Sequence, residues 1–140
     1  MLLHIVARGK IGRSPEAELV ERYVKRMTWP TKITELPDRG GNVPALPPNA
    51  VLIALDERGE ALSSLELANK LENWRDAGKR EARFLIGAHS GHDEKQRDAA
   101  DLLLSFGPAT WPHLLVRAML AEQLFRAMSI LANHPYHREG

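Results

Sequence analysis

The stretch from Trp111 to Leu131 most constrains what this chain can fold into. Between Leu114 and Leu131 nearly every residue is apolar, and only Arg117, Glu122, Gln123, Arg126 and Ser129 interrupt the run. Pro112 suits the first turn of a helix, where its missing N–H would go unpaired in any case. A helix apolar on one stripe packs against one partner, whereas one apolar nearly all round must be covered on several sides. A sheet built from 140 residues covers one side, so a second copy of the chain is expected to cover another. His113 and Arg117 fall one turn apart on the same helical face. Beyond the helix the chain closes with Asn133-His134-Pro135-Tyr136-His137-Arg138-Glu139-Gly140. Such a tail reads as a frayed, solvated end or as a functional segment anchored by a buried helix.

Length places all 140 residues in one domain with a core of its own. The absence of cysteine excludes disulfides, thiolate metal sites and cysteine nucleophiles. His89 and His92 lack an obvious third and fourth ligand, so no metal is expected. No stretch is long and uncharged enough to span a bilayer, and no cleavable leader opens the chain, so a cytoplasmic protein is expected. A formal charge of +1 means that any nucleic-acid binding must be local and shaped, because a general polycation would carry a large excess.

Along the chain, Leu2–Ala7 is a short buried strand with His4 as a hydrogen-bonded core or edge residue. Arg8-Gly9-Lys10-Ile11-Gly12-Arg13 is a loop with three cations and two glycines, without the spacing of a phosphate-binding loop. Ser14-Pro15 starts a helix expected to run to about Met27. Lys32–Leu36 alternates like a half-exposed strand. Pro37–Pro48 holds four prolines and Gly40-Gly41, a composition that neither helix nor strand tolerates. Val51–Leu55 is a continuous apolar run, the pattern of a strand covered on both faces. Asp56-Glu57-Arg58-Gly59 reads as a turn. Ser63 and Glu66 form a capping box that opens a helix ended by Gly78. Ala82–Ile86 is the next strand, and the helical crossover before it implies parallel pairing.

The loop after that strand is Gly87-Ala88-His89-Ser90-Gly91-His92-Asp93. Glycine-rich loops at the carboxyl ends of parallel strands bind ligands in α/β sheets, although these glycines can equally serve the strand-to-helix turn alone. A short helix from Glu94 to Ala100, a last strand at Leu102–Ser105 and the loop Phe106–Trp111 lead into the final helix. The expected architecture is an α/β domain with a mostly parallel five-stranded sheet. Its loops after Leu55, Gly87 and Phe106 converge on a small-molecule pocket.

Five stretches taken together resemble the RlmH family, SPOUT-class methyltransferases of bacterial large-subunit rRNA. They are Ala54–Gly59, Phe84–Gly87, Trp111–Arg117, Ala121–Ala127 and Asn133–Arg138, densest from Arg83 onward. The resemblance implies an α/β knot, that is, a C-terminal trefoil knot that general chain rules would call very rare. It implies S-adenosyl-L-methionine held by Leu55, Gly87, Phe106, Gly107, Pro108, Ala109, Thr110 and Trp111. It also implies a homodimer acting on N3 of a pseudouridine in the helix 69 loop of 23S rRNA, within the assembled ribosome. Three features depart from the family pattern: Ala88 stands where a second glycine is usual, His89-Ser90 replace acidic or small residues, and the Pro37–Pro48 loop replaces a helix.

Within that resemblance His137 is the candidate general base, with His134 ranked behind it. Arg138 would hold an RNA phosphate or stabilise charge developing on the base. Tyr136 would stack on the flipped nucleotide. His113 and Arg117 would shape the pocket wall, or else simply cap and solvate the helix. The alternative is a catalytically impaired ribosome- or RNA-binding dimer of the same fold. An unrelated nucleotide-binding α/β protein would need phosphate-loop motifs that this sequence lacks.

Overall fold

The computed structural model describes residues 1–87, 94–133 and 136. Five strands and four helices follow in the order β1 (Leu2–Arg8), α1 (Pro15–Val24), β2 (Thr31–Leu36), β3 (Ala50–Ala61), α2 (Ser64–Asp76), β4 (Glu81–Ile86), α3 (Glu94–Ala99), β5 (Leu102–Ser105) and α4 (His113–Leu131). They form one sheet in the order β2-β1-β4-β3-β5. Every described pairing is parallel, so "mostly parallel" understates it. All five carboxyl ends therefore lie along one edge.

Helix boundaries follow local chemistry. The Ser14 hydroxyl accepts the Ala17 N–H and Pro15 occupies the first turn of α1. That helix closes at Val24, short of the expected Met27, because the Arg26 and Met27 N–H groups turn back to Tyr23 and Val24 carbonyls in a tighter coil. In α2 the Ser63–Glu66 capping box forms in both directions. Gly78 then ends the segment with φ +89°, as the left-handed C-cap position requires.

Strand alternation sorts side chains onto two faces. On one face Leu3, Ile5, Ala7, Val51, Ile53, Leu55, Ala82, Phe84 and Ile86 pack against Leu67 and Leu71 of α2 and Leu120, Leu124 and Met128 of α4. α1 lies against α4 through Val20, Ala118 and Ala121. The opposite face carries Val6, Leu36 and Leu85, covered by Val43 of the proline-rich segment. On this second face Leu52 of β3 is half-buried beside the same cluster, so the irregular loop covers the face only in part.

That loop is tied down by a polar network under it. Arg83 donates from Nη1 to the Pro44 carbonyl at 2.5 Å and from Nε to Glu81 at 3.0 Å. Glu81 also lies 3.2 Å from His4 Nδ1, and His4 Nε2 is 2.7 Å from the Thr34 hydroxyl. Neutral His4, donating from Nδ1 and accepting at Nε2, satisfies both partners. Burial pushes its imidazole below the ordinary histidine value, against the opposing pull of Glu81.

Two expectations change. Asp56–Gly59 is not a turn between elements but a bulge inside β3. Leu55 and Glu60 both pair with Leu104, so the four residues between them loop out of the ladder. Second, α4 is better covered within one chain than its composition suggested. The sheet, α1 and α2 together leave no residue of α4 fully exposed, and Leu124 is wholly inside this core. Leu114, Leu115 and Met119 remain half-buried.

Candidate active site at the carboxyl edge of the sheet

β4, β3 and β5 are neighbours, and their register fixes where their loops begin. Ala54 pairs with Leu85 and Leu55 with Leu104. Leu55, Gly87 and Phe106 therefore emerge within two residues of one another, on adjacent strands about 4.8 Å apart. The structure brings these three expected residues to one place. Leu55 is buried, whereas Gly87 and Phe106 are half-buried.

The Phe106–Trp111 loop is shaped by its own hydrogen bonds. The Ser105 hydroxyl accepts the Gly107 N–H at 3.0 Å and lies 2.8 Å from the Gly107 carbonyl and 3.2 Å from that of Glu57. Gly107 turns with φ +105°, and an ideal Cβ there would meet nothing within 4 Å. Thr110 donates its hydroxyl to the Glu57 carboxylate at 2.7 Å. The Trp111 indole N–H reaches the Phe106 carbonyl at 3.4 Å, and the residue stays 42% exposed. Pro108 and Ala109 are exposed. The exposed turn Pro108–Thr110 is thus held in place after β5 by Ser105 and Glu57.

The β3 bulge supports this loop, a role that its turn-like sequence concealed. Asp56 accepts the Arg58 N–H at 2.9 Å and lies 3.8 Å from the Arg97 guanidinium. Burial would raise the Asp56 carboxyl, but these donors and cations outweigh it and hold it below the usual range. Gly59 passes so close to β5 that an added Cβ would stand 2.5 Å from the Leu103 carbonyl carbon and oxygen. Glu57, Gly59 and Ser105 were not singled out from the sequence, because each matters through a contact with a distant segment.

The first residues of α4 face the β1 loop. His113 Nε2 would be 3.5 Å from a Cβ built on Gly9. Arg117, 1% exposed, donates to Glu35 at 2.5 Å, to the Gly9 carbonyl at 3.1 Å and to the Arg8 carbonyl at 3.4 Å. Its Nε has no partner among the described residues. Both side chains line the wall between β1 and α4, and Arg117 is far from a solvated cap.

Tyr136 packs edge-on against Phe125, with ring centroids 4.8 Å apart, and donates its hydroxyl to Glu122 at 3.1 Å. Burial first, then contact with Tyr23 and Glu122, pushes its phenol up to about 12. Phe125 lies twelve residues along α4 from His113, about 18 Å at 1.5 Å per residue. A single chain thus holds Tyr136 well away from the strand-end loops. His137 and Arg138, with His134, Ala88, His89 and His92, lie outside the described residues. Among the described residues no group of three or more His, Asp or Glu is placed to hold a metal ion, and no helix is long and apolar enough to cross a membrane.

Comparison with known proteins accounts for this arrangement. A family model described as "Predicted SPOUT methyltransferase" matches residues 1–137. The protein of Rhizorhabdus wittichii named ribosomal RNA large subunit methyltransferase H is 69% identical over 140 residues, covering 100% of both chains. The protein of the same name from Sphingopyxis alaskensis is 67% identical, covering 100% of this chain and 99% of its own. Among solved structures, that of a probable methylase family protein from Haemophilus influenzae Rd KW20 superposes with a TM-score of 0.62 at 14% identity. It covers 95% of this chain and 69% of that one, a likeness of fold alone. The chain belongs to the SPOUT methyltransferase family, and within it to the RlmH group.

Proposed function

We propose that this protein methylates N3 of a pseudouridine in the helix 69 loop of 23S rRNA, in the assembled ribosome and in the cytoplasm, with S-adenosylmethionine as donor. The observation that carries this reading is the full-length identity of 69% to a protein named as a ribosomal RNA large subunit methyltransferase. The geometry is compatible with it. The turn at Gly107, where an added Cβ would meet nothing within 4 Å, follows β5 close to the β3 bulge after Leu55 and to Gly87, and Pro108, Ala109 and Thr110 are exposed there. When bound there, S-adenosylmethionine supplies an electrophilic methyl on a sulfonium.

This chain's own tasks are to hold the ring nitrogen in line with that methyl and to take up the N3 proton. Placement is the larger contribution, of order ~7–11 kcal/mol for well-held reactants, and a base adds about 10²–10⁴-fold. His137 takes the proton in this reading, with Arg138 beside developing negative charge or a phosphate. Tyr136, its phenol pushed up to about 12, stays neutral at working pH, which suits stacking and excludes it as the base. Because Tyr136 sits far along α4 from its own strand-end loops, the tail is read as serving the site of a second copy in a homodimer.

The test is methylation of purified ribosomes lacking this modification, with mass spectrometry of the 23S rRNA and calorimetry of S-adenosylmethionine binding. N3-methylpseudouridine in helix 69 is the expected product. Cofactor-independent ribosome binding without methyl transfer would replace this reading with that of a binding dimer.

A further inference from the structure

The loops after β1 and β2 share the carboxyl edge with the loops after β3, β4 and β5, and their inner side meets Arg117 at the Arg8 and Gly9 carbonyls, while their outer side has had no role so far. Ala7 pairs with Ile86 and Arg8 with Leu36, so the β1 loop starts one strand spacing, about 4.8 Å, from Gly87. Residues 8–13 and 35–40, with Arg117, carry five cations against two carboxylates. One of those carboxylates, Glu35, is already engaged by Arg117 and by the Ile11 N–H at 2.8 Å.

Both loops are held in shape from beneath. Gly9 donates to the Leu36 carbonyl at 2.8 Å, and Arg117 grips the Gly9 carbonyl from below. Arg8 spends its guanidinium on the Pro37 and Gly40 carbonyls at 3.0 and 2.6 Å, joining the two loops. What remains on the outside is Lys10, Arg13 and Arg39 against a single further carboxylate, Asp38 beside Gly9, all four exposed. None of the three cations has a carboxylate within salt-bridge distance among the described residues. Lys10 feels Glu35, yet that carboxylate is shared with the buried Arg117. Glu16 and Glu18 occupy the first turn of α1, so the end of that helix adds nothing to the cationic surface.

We propose that Lys10, Arg13 and Arg39 form a phosphate-contact surface for the RNA substrate, with Arg117 as the residue that positions it. The proposal rests on the rRNA-methyltransferase reading and deepens it. In a protein of net charge +1 affinity for RNA has to come from a local cluster, since each phosphate contact releases counterions and steepens the salt dependence. This cluster is preorganised by hydrogen bonds to backbone carbonyls and lies beside the transfer site.

The experiment compares the full-length protein with the K10A/R13A/R39A variant and with a charge-matched control, R22A/K25A/R80A, whose three sites are also exposed. Ribosome binding is measured from low to high salt, together with KM and kcat for methylation and cofactor affinity by calorimetry. The K10A/R13A/R39A variant should show a KM for ribosomes raised roughly tenfold or more and a log–log salt slope reduced by about two to three. Its cofactor affinity and its kcat at saturating ribosome should stay within about twofold, as expected for contacts that position without reacting. An unchanged KM and salt slope in a variant beside an active wild type overturns the phosphate surface and leaves the enzymatic reading standing. Equal losses in the control overturn it too. Wild-type protein that binds ribosomes through these residues without methylating them supports the surface and overturns the enzymatic reading.

Discussion

Arg117 of α4 and Glu35 of β2, 82 positions apart in the chain, form an ion pair that closes α4 onto the loop after β1. The Arg117 side chain is 1% exposed and that of Glu35 is 35% exposed. The two partners are therefore unequal. Removing Glu35 leaves a buried guanidinium with only carbonyl partners, whereas removing Arg117 leaves a carboxylate that water can reach.

Glu35→Ala should consequently destabilise the protein more than Arg117→Met. Stranding one member of a buried pair costs about 3–5 kcal/mol, and partial exposure here places Glu35→Ala toward the lower end. Urea denaturation of both variants checks the order. Equal losses would mean that Arg117 stabilises mainly through the Gly9 carbonyl.

Stability should fall in two stages as pH drops. His4 has its value lowered below 6.5 by burial, so the unfolded chain takes up this proton first and stability declines as pH falls below about 6.5. Glu35 is raised by burial but lowered more by the Ile11 N–H and Arg117, ending below 4.5. Its contribution is complete above that value and lost as pH falls through the folded one. Melting temperatures between pH 8 and about 3 should show both stages, the first absent in His4→Gln and the second weakened in Glu35→Gln.

Gly59→Ala should be far more damaging than Gly12→Ala. The first puts a Cβ 2.5 Å from the Leu103 backbone, while the second has φ +57° but open space. Overpacking against fixed backbone costs about 1–3 kcal/mol or more, against roughly 1 kcal/mol for alanine at an unfavourable φ. Cofactor affinity should also drop in Gly59→Ala, since β5 leads directly into the Phe106–Trp111 loop. Comparable thermal shifts in the two variants would show that β3 and β5 can part at little cost.

A chain ending at Ala132 should still bind S-adenosylmethionine yet fail to methylate ribosomes, and His137→Ala alone should slow turnover roughly 10²-fold or more if it is the base. Single-turnover kinetics with calorimetry separates the two effects. Wild-type rates in the truncated protein would reduce the tail to a solvated end.

Met119→Glu should weaken self-association in sedimentation while leaving each chain folded, because Met119 is only half-buried within one chain. Leu124→Glu should instead unfold the protein, since Leu124 is fully inside the core and would bury a charge. A wild-type protein that sediments as a monomer at micromolar concentration would remove the dimer from the functional reading.

The sequence by itself determined the elements and their types, and the family to which the chain belongs. Ser14-Pro15, the Ser63–Glu66 box and Gly78 are local signals, read by the backbone within a few residues, and they set helix ends to within a turn. Apolar runs at Val51–Leu55 and Ala82–Ile86, joined by a helical crossover, were enough for parallel pairing, and from it came the convergence of Leu55, Gly87 and Phe106. The motifs around Trp111–Arg117 and Asn133–Arg138 carried the family. Only the tertiary structure decided that Asp56–Gly59 is a bulge inside a strand, that Glu35 neutralises Arg117, that a proline-rich loop covers part of the second face, and that Leu124 belongs to one chain's core. Each of these turns on which residues far apart in sequence come within hydrogen-bond or van der Waals reach. Local propensity holds no record of such distances, because chain packing against the whole sheet sets them.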